Sequence, residues 1–407
     1  MYELYTTTLM KMGFILNPYD KCIANKEING NTCTMAWYVD DNKISHVDND
    51  TITAIVDEIE GKFGKLARTV GSKHTFLGMD IEFLPDKTVA IGTPQHIDEA
   101  IEDFGEQLNT DVTNPAKAKL FHIYTQATLL DKEKAELFHS VTAKLLWVSK
   151  RSRPDIETAI SFLSTRVRSP TTEDWGKLKR VLSFLQKTKE DRRIFGTNGF
   201  SELSTYVDAA YAVHPNMRSH TGGCMSFGRG IVHAKSSKQK LNTKSSTEAE
   251  VVGVSDYAPY KIWMINFLKE QGYSLKKRIL YQDNQSAIKM EKNGRNSCTG
   301  NSRHIDIRYF FTKDRVDKDE FSIEYCPTNE MVADFFTKPL QGAQFNNLRR
   351  VIMGWAPLNT SQHQNTGLSP STSKERVGKH MSVENDENSK VRQSDHVRYI
   401  LPNTNHK

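Results

Sequence analysis

Four phrases in the chain carry carboxylates in settings that suit phosphate chemistry. They are Tyr206-Val-Asp208-Ala-Ala-Tyr211, Ser245-Ser-Thr-Glu248-Ala-Glu250, Tyr281-Gln-Asp283-Asn-Gln-Ser-Ala287 and Met331-Val-Ala-Asp334-Phe-Phe-Thr-Lys-Pro339. Each places its acid at a strand end or a helix start. Clustered carboxylates hold hard divalent cations, and two such ions about 4 Å apart clamp the attacking and leaving oxygens of a phosphodiester. The candidate catalytic and metal-binding set is Asp208, Asp283, Asp334 and one of Glu248 and Glu250. Two magnesium ions suit it, and manganese can substitute.

The elements that must bring these residues together can be read from hydrophobic patterning. Residues 201–354 read as strands over 203–207, 222–227 and 231–234, then a long helix over 247–269 and a strand over 278–282. A short helix (286–293), a helix (304–313), a strand (321–325) and a final helix from 331 complete the stretch. Three antiparallel strands followed by helix–strand–helix units predict a mixed sheet flanked by helices. Taken singly, each acid has a plain structural reading: Asp208 ends a strand, Asp283 caps a helix and Asp334 opens one. Their joint occurrence, in this order and between these elements, is what points to a site. Glu248 and Glu250 are two residues apart, so they face opposite sides of their helix, and both fit a capping box. The residues alone leave that choice open.

With Asp283-Asn-Gln-Ser-Ala287 and Ala333-Asp-x-x-Thr-Lys-Pro-Leu340, the stretch resembles the ribonuclease H of Ty1/copia-type retrotransposon Pol polyproteins. The resemblance implies two-metal cleavage of the RNA strand of an RNA/DNA hybrid. It also selects Glu250, since ribonucleases H carry a small residue three positions after this glutamate and Gly253 stands there, leaving Glu248 as cap or rim charge. Ser302-Arg-His304-Ile-Asp306-Ile-Arg-Tyr309 matches a further family phrase. In it His304 either helps product leave or, with Asp306, fixes a loop. Lys235, Lys238 and Lys240, set among hydroxyl and amide residues, would meet the hybrid's backbone together with Arg303 and His304, extended by Arg308 and Lys338. Two aromatics usual in the family are replaced, at Val232-His-Ala234 and at Tyr211, changes that would loosen packing. A copy that folds but no longer acts is therefore the rival expectation. A different nuclease or integrase on the same fold would lack the Tyr38-Val-Asp40-Asp41 hairpin.

Residues 1–93 open with a helix over 1–14, packing through Leu4, Leu9, Met10 and Phe14. Two hairpins come after it. The first turns at Asn29-Gly30, a strong hairpin signal because both residues tolerate positive φ. The second turns at Asp40-Asp41-Asn42, which on its own is an ordinary polar turn. Tyr38-Val-Asp40-Asp41, followed by a helix (51–63) and Phe76-Leu-Gly-Met-Asp-Ile81, resembles the palm of the Ty1/copia-type reverse transcriptase, where this turn offers aspartate to the polymerase metals. The palm is truncated: the resemblance demands an aspartate from an earlier strand, and only Asp20 precedes Asp40. The chain alone is therefore not expected to extend a primer. A separate N-terminal polymerase portion is an implied partner.

Residues 94–200 read as helices over 95–104, 134–150, 156–167 and 172–188, a thumb or connection in the resemblance. Lys177, Lys179, Arg180, Lys187 and Lys189 line the last helix as either a solvated face or a phosphate-tracking one. The sequence thus predicts α/β and α+β architecture: a truncated palm (1–93), a helical thumb or connection (94–200) and a ribonuclease H-like domain (201–355). The tail, 356–407, is polar and expected to be disordered, bulky apolar residues returning only at Tyr399-Ile-Leu401.

Across all 407 residues, 37% are hydrophobic and the net charge is +6, which fits a nucleic-acid partner without demanding one. The five cysteines are scattered, with no C-x-x-C pair, so a zinc knuckle or disulfide frame is not expected. No apolar run approaches the ~18 residues of a membrane span, and no signal pattern opens the chain, which predicts an intracellular protein with no membrane partner.

Overall fold

The computed structural model describes residues 2–197, 199–294, 306–358 and 395–400. The chain starts with α1 (Tyr2–Lys11), β1 (Ile15–Asn17), β2 (Asp20–Ile28), β3 (Asn31–Tyr38), β4 (Asp41–His46), α2 (Asn49–Phe63) and β5 (Ala67–Val70). Asn29 (φ 51°) and Gly30 (φ 73°) make the first hairpin turn, as their types require. Tyr5 and Leu9 face inward from α1, with Met12 and Phe14 buried just past its end, whereas Leu4 and Met10 are exposed. The face expected from aliphatic residues alone is rotated, because Tyr5 supplies the first inward position. Asp48 caps α2, accepting from Asp50 N and Thr51 N, and Ile52, Ile55, Val56 and Ile59 are buried against the sheet.

Next come β6 (Lys73–Phe76), β7 (Met79–Phe83), β8 (Val89–Gly92), α3 (Pro94–Phe104), α4 (Lys132–Arg151), a 3-10 turn at Pro154–Ile156, α5 (Glu157–Ser164), α6 (Thr172–Lys187) and β9 (Arg193–Thr197). A reciprocal capping box between Thr171 and Asp174 starts α6. The charged face of α6 is neither free nor simply solvated. Lys179 pairs with Glu106 (2.8 Å), Lys189 with Asp98 (3.0 Å), Arg180 donates to Asn114 Oδ1 (2.6 Å), and Lys177 donates to the His122 carbonyl (2.6 Å). A folded loop over 105–127 covers this face, and loops are where sequence patterning carries least.

The remaining elements are β10 (Ser204–Ala210), β11 (His220–Ser226), β12 (Gly228–Arg229), β13 (His233–Lys238), α7 (Ser246–Glu270), β14 (Ile279–Gln282), α8 (Gln285–Asn293), α9 (Asp306–Asp317), β15 (Ser322–Tyr325), a 3-10 turn at Val332–Phe336 and α10 (Gly342–Ile352). One sheet has the order β13-β11-β10-β14-β15, antiparallel on the β11 side of β10 and parallel on the β14 side. A second runs β12-β9-β8-β7-β6, so residues of 73–92, 193–197 and 228–229 share one ladder. A single hydrophobic core continues from Phe104, Leu145 and Leu182 to Tyr206, Phe336 and Ile352. The helices of 94–200 thus pack directly on the sheet and helices of 201–354.

The third sheet has the order β1-β2-β3-β4-β16-β5, where β16 is Asp395–Ile400. The tail is expected from its composition to be disordered throughout, and these six residues correct that. The antiparallel edges of β4 and β5 leave a gap one strand wide, and β16 fills it. The rest of the tail beyond 358 lies outside the described residues. Among the described residues no helix is long and apolar enough to cross a membrane.

Candidate metal centre

Asp208 lies inside β10, paired in register with Gly222 of β11, and is not the strand-ending residue the pattern suggested. Glu250 comes from the first turns of α7 and Asp283 from the end of β14. One carboxylate oxygen from each of Asp208, Glu250 and Asp283 lies within 4.8 Å of the other two. Two are buried and Asp283 is half-buried, so the cluster opens at Asp283.

Each acid is held by its neighbours. Thr337 Oγ1 donates to Asp208 Oδ2, and Thr328 Oγ1 donates to Asp283 Oδ2 at 2.9 Å. Gln282 Oε1 accepts from the Asp283 and Asn284 amides, and Asn284, not Asp283, caps α8. That frees Asp283 from the capping role its position allowed. Glu250 Oε2 is buried and has no hydrogen-bond partner. An orphan anionic oxygen among carboxylates is a costly arrangement that a cation would relieve.

The structure separates the two glutamates that the sequence could not. Ser245 caps α7 by accepting from the Glu248 amide, and Glu248 Oε2 accepts from Lys244 N at 2.7 Å. Glu248 is used at the helix start, bonded to the residue before the cap, and Glu250 faces the aspartates.

Asp334 lies beside Asp208 but outside the three acids at mutual ligand spacing. It lies within the 3-10 turn Val332–Phe336 and not at the start of an α-helix, which begins only at Gly342. Lys338 Nζ sits 2.6 Å from Asp334 Oδ1 and 3.6 Å from Asp208 Oδ2. The structure therefore brings three of the four acids to ligand spacing and ties the fourth to Asp208 through a lysine.

The electrostatics agree. Burial, then the charges of Asp208 and Asp283, push the Glu250 carboxyl well above its ordinary value. Burial raises Asp283 against the Thr328 hydroxyl, and the Asp208 charge adds to the rise. Asp334 is pushed up to about 7 by burial and Asp208, with Lys338 opposing. For Lys338 burial works against the charge, but Asp208, Asp334 and Asp283 outweigh it and raise the amine. The cluster carries more negative charge than it can balance.

The close approach of the 3-10 turn depends on glycine. A Cβ on Gly222 would stand 2.6 Å from Thr337 Cγ2 and 2.9 Å from the Ala333 carbonyl, and one on Gly223 would strike the Tyr257 ring at 2.3 Å. Sequence reasoning missed this pair. The signal was two adjacent glycines inside a strand, which mark close backbone approach. It also missed Thr328 and Thr337, and it read Lys338 as part of the basic surface.

The expected nucleic-acid contacts fare unevenly. Lys235, Lys238 and Lys240 lie on or just past the edge strand β13. Lys240 is exposed, Lys235 lies 4.6 Å over the Tyr260 ring, and burial with nearby Arg218 and Arg166 lowers the Lys238 amine. Arg308 is spent on an ion pair with Asp256. Arg303 and His304 lie outside the described residues. At the replaced aromatic, His233 stacks on Tyr260 (4.8 Å) and meets the Tyr257 hydroxyl at 2.9 Å, so the position is packed.

The second hairpin turns at Val39 (φ 56°) and Asp40, one residue earlier than the polar run suggested, and Asp41 opens β4 opposite Tyr38. Asp41 Oδ2 accepts from the Leu77 amide at 2.9 Å, which fixes the β6–β7 turn. Among the described residues no third metal-type ligand joins these two at ligand spacing.

No family model matches the chain. It is similar to the retrovirus-related Pol polyprotein from transposon TNT 1-94 of Nicotiana tabacum, 27% identical over 353 residues that cover 85% of this chain and 26% of that polyprotein. It is similar to the retrovirus-related Pol polyprotein from transposon RE2 of Arabidopsis thaliana, 26% identical over 86% of this chain and 24% of the relative. The transposon Ty1-LR3 Gag-Pol polyprotein of Saccharomyces cerevisiae is 23% identical over 77% of this chain and 19% of its own length. The chain thus spans about a quarter of the length of the curated relatives it matches. It is a homologue of the Pol polyproteins of Ty1/copia-type retrotransposons.

Proposed function

We propose that this chain hydrolyses the RNA strand of RNA/DNA hybrids at a ribonuclease H-type centre built on Asp208, Glu250 and Asp283, with Asp334 beside them. The observation that carries the reading is the convergence of three carboxylates within 4.8 Å, one of them with an orphan buried oxygen. The sheet order β13-β11-β10-β14-β15, with its antiparallel and parallel halves, supports the same fold assignment.

The residues present fit magnesium: all are hard oxygen donors, and their charge is unbalanced. Asp208, Glu250 and Asp283 would hold the ions, and bound magnesium would supply an activated water and stabilise the leaving 3′ oxygen. The chain's own residues do the rest. Thr337 and Thr328 orient Asp208 and Asp283. Lys338 holds Asp334 against Asp208 and keeps a positive charge at the site's edge. Lys235 and Lys240 stand on the β13 side, where backbone phosphates position a duplex without reading its sequence. The polymerase reading of Asp40 and Asp41 is not extended to this chain, since their turn lacks a third ligand among the described residues.

The test is cleavage of a labelled RNA/DNA hybrid by the full chain with magnesium, against single-stranded RNA and against Asp283→Asn. The expected result is hybrid-specific cleavage that falls in the variant by at least the roughly 10- to 100-fold that loss of a group merely orienting a metal ligand costs. Equal activity in the variant rejects the site. A packed His233 position and three carboxylates at ligand spacing favour this reading over an inert relic.

A further inference from the structure

The loop over 109–124 folds against α6 and borders a cavity of about 350 Å³ that none of the clustered carboxylates lines. That lies within the range of small-molecule sites, about 300–1,000 Å³. Its lining is strongly basic. Lys117, Lys119, Lys177 and Arg180 face it, with Lys179 neutralised by Glu106 and Glu173 as the single acid in the lining. Lys117 and Lys119 are exposed and make no ion pair among the described residues. A concave surface of one sign focuses its field on whatever enters.

Two deeper cations are paired only in part. Arg180 gives one nitrogen to Asn114 Oδ1, but its Nε is buried and has no hydrogen-bond partner. Lys177 donates to the His122 carbonyl, and its nearest carboxylate, Asp174, is 4.0 Å away. Burial lowers both from their ordinary values, which an entering anion would reverse. The floor is apolar, from Val112 and Leu120, and the half-exposed ring of Tyr124 stands in the lining. Gly176 leaves space, since a Cβ there would meet nothing within 4 Å.

Clustered cations, an apolar floor and a half-exposed aromatic ring describe one ligand chemistry. We propose that this cavity binds a nucleotide, its phosphates against Lys117, Lys119 and Arg180 and its base against Tyr124. The source is either a free nucleotide or the terminal nucleotide of a nucleic-acid strand. The site shares no residue with the carboxylate cluster, so it stands whether or not the chain cleaves hybrids.

The test titrates the full chain with ATP and, separately, with short single-stranded DNA carrying a 5′-phosphate or a 5′-hydroxyl. The variants are Lys117→Gln/Lys119→Gln, which removes charge, and Gly176→Phe, which fills the cavity at a helix position any residue can adopt. Binding weakened at least roughly tenfold in both variants is expected, the scale of lost charge-assisted contacts. Tight ATP binding identifies a free nucleotide as the source, and preference for the 5′-phosphate identifies a strand end. If Gly176→Phe does not fold, the double lysine variant alone decides. Asp283→Asn should bind both probes unchanged, which separates this site from the cleavage reading. No binding by either probe, or binding indifferent to the lysine variant, overturns the proposal.

Discussion

Two glutamates separated by one alanine do opposite work. Glu248 is spent on the helix start, where its carboxylate accepts the Lys244 amide. Glu250 is held among like charges with an oxygen that nothing satisfies. The first contributes to stability and the second costs it, the pattern of a functional site maintained against the fold. Glu250→Gln is therefore expected to raise the unfolding temperature without divalent ions while abolishing manganese binding. Glu248→Ala should lose about 1 kcal/mol of stability, as capping groups do, and keep manganese binding. Thermal unfolding in EDTA beside a manganese titration separates the two. A Glu250→Gln protein that is destabilised and still binds the ion would contradict the assignment.

At the scale of elements, the site is a contact between a strand and a turn. The 3-10 turn Val332–Phe336 reaches Asp208 only because β11 carries no side chain at Gly222. Gly222→Ala forces the turn outward and takes Thr337 and Asp334 with it. Overpacking of this kind costs about 1–3 kcal/mol. The unfolding free energy from urea titration should fall by that amount, and hybrid cleavage should fall with it although no ligand is changed. Unaltered cleavage would mean the turn does not position the site. Much of this region was legible in sequence. The strand and helix order over 201–354 and the positions of α2, α4 and α6 come from apolar periodicity, which burial enforces. Asn29-Gly30 is set by its demand for positive φ. The features that escaped depend on tertiary contact. Asp208 inside its strand, Asp334 in a 3-10 turn and β9 in a shared sheet are set by neighbours distant in the chain. The basic face of α6 misled because its partners, Glu106, Asn114, Asp98 and the His122 carbonyl, come from α3 and from a loop with no periodicity of its own.

At the scale of the molecule, the helices of 94–200 and the sheet and helices of 201–354 form one packed body. Arg153 and Asp155, from the turn before α5, form a fully buried pair at 2.9 Å. Arg349 of α10 joins the same carboxylate at 2.8 Å and reaches Asp191 at 2.6 Å. The Phe184 and Phe345 rings meet beside them, 5.9 Å apart. Burial works against the Asp155 charge, but Arg153 and Arg349 outweigh it and hold the carboxyl at about 2, below its ordinary 3.8. A depressed carboxylate stabilises the fold above the unfolded value, so this contribution is complete above pH 3.8 and is lost as pH falls towards 2. Removing the carboxylate at neutral pH is more severe, because Arg153 is then left buried and uncompensated. Asp155→Ala is expected to cost about 3–5 kcal/mol, the scale for breaking a buried pair. With one core running through both segments, the loss should appear as a single transition, in which tryptophan fluorescence and release of manganese change together. Two separated transitions, with the ion retained through the first, would show that the helices and the carboxylate sheet fold apart and that the shared core does not couple them.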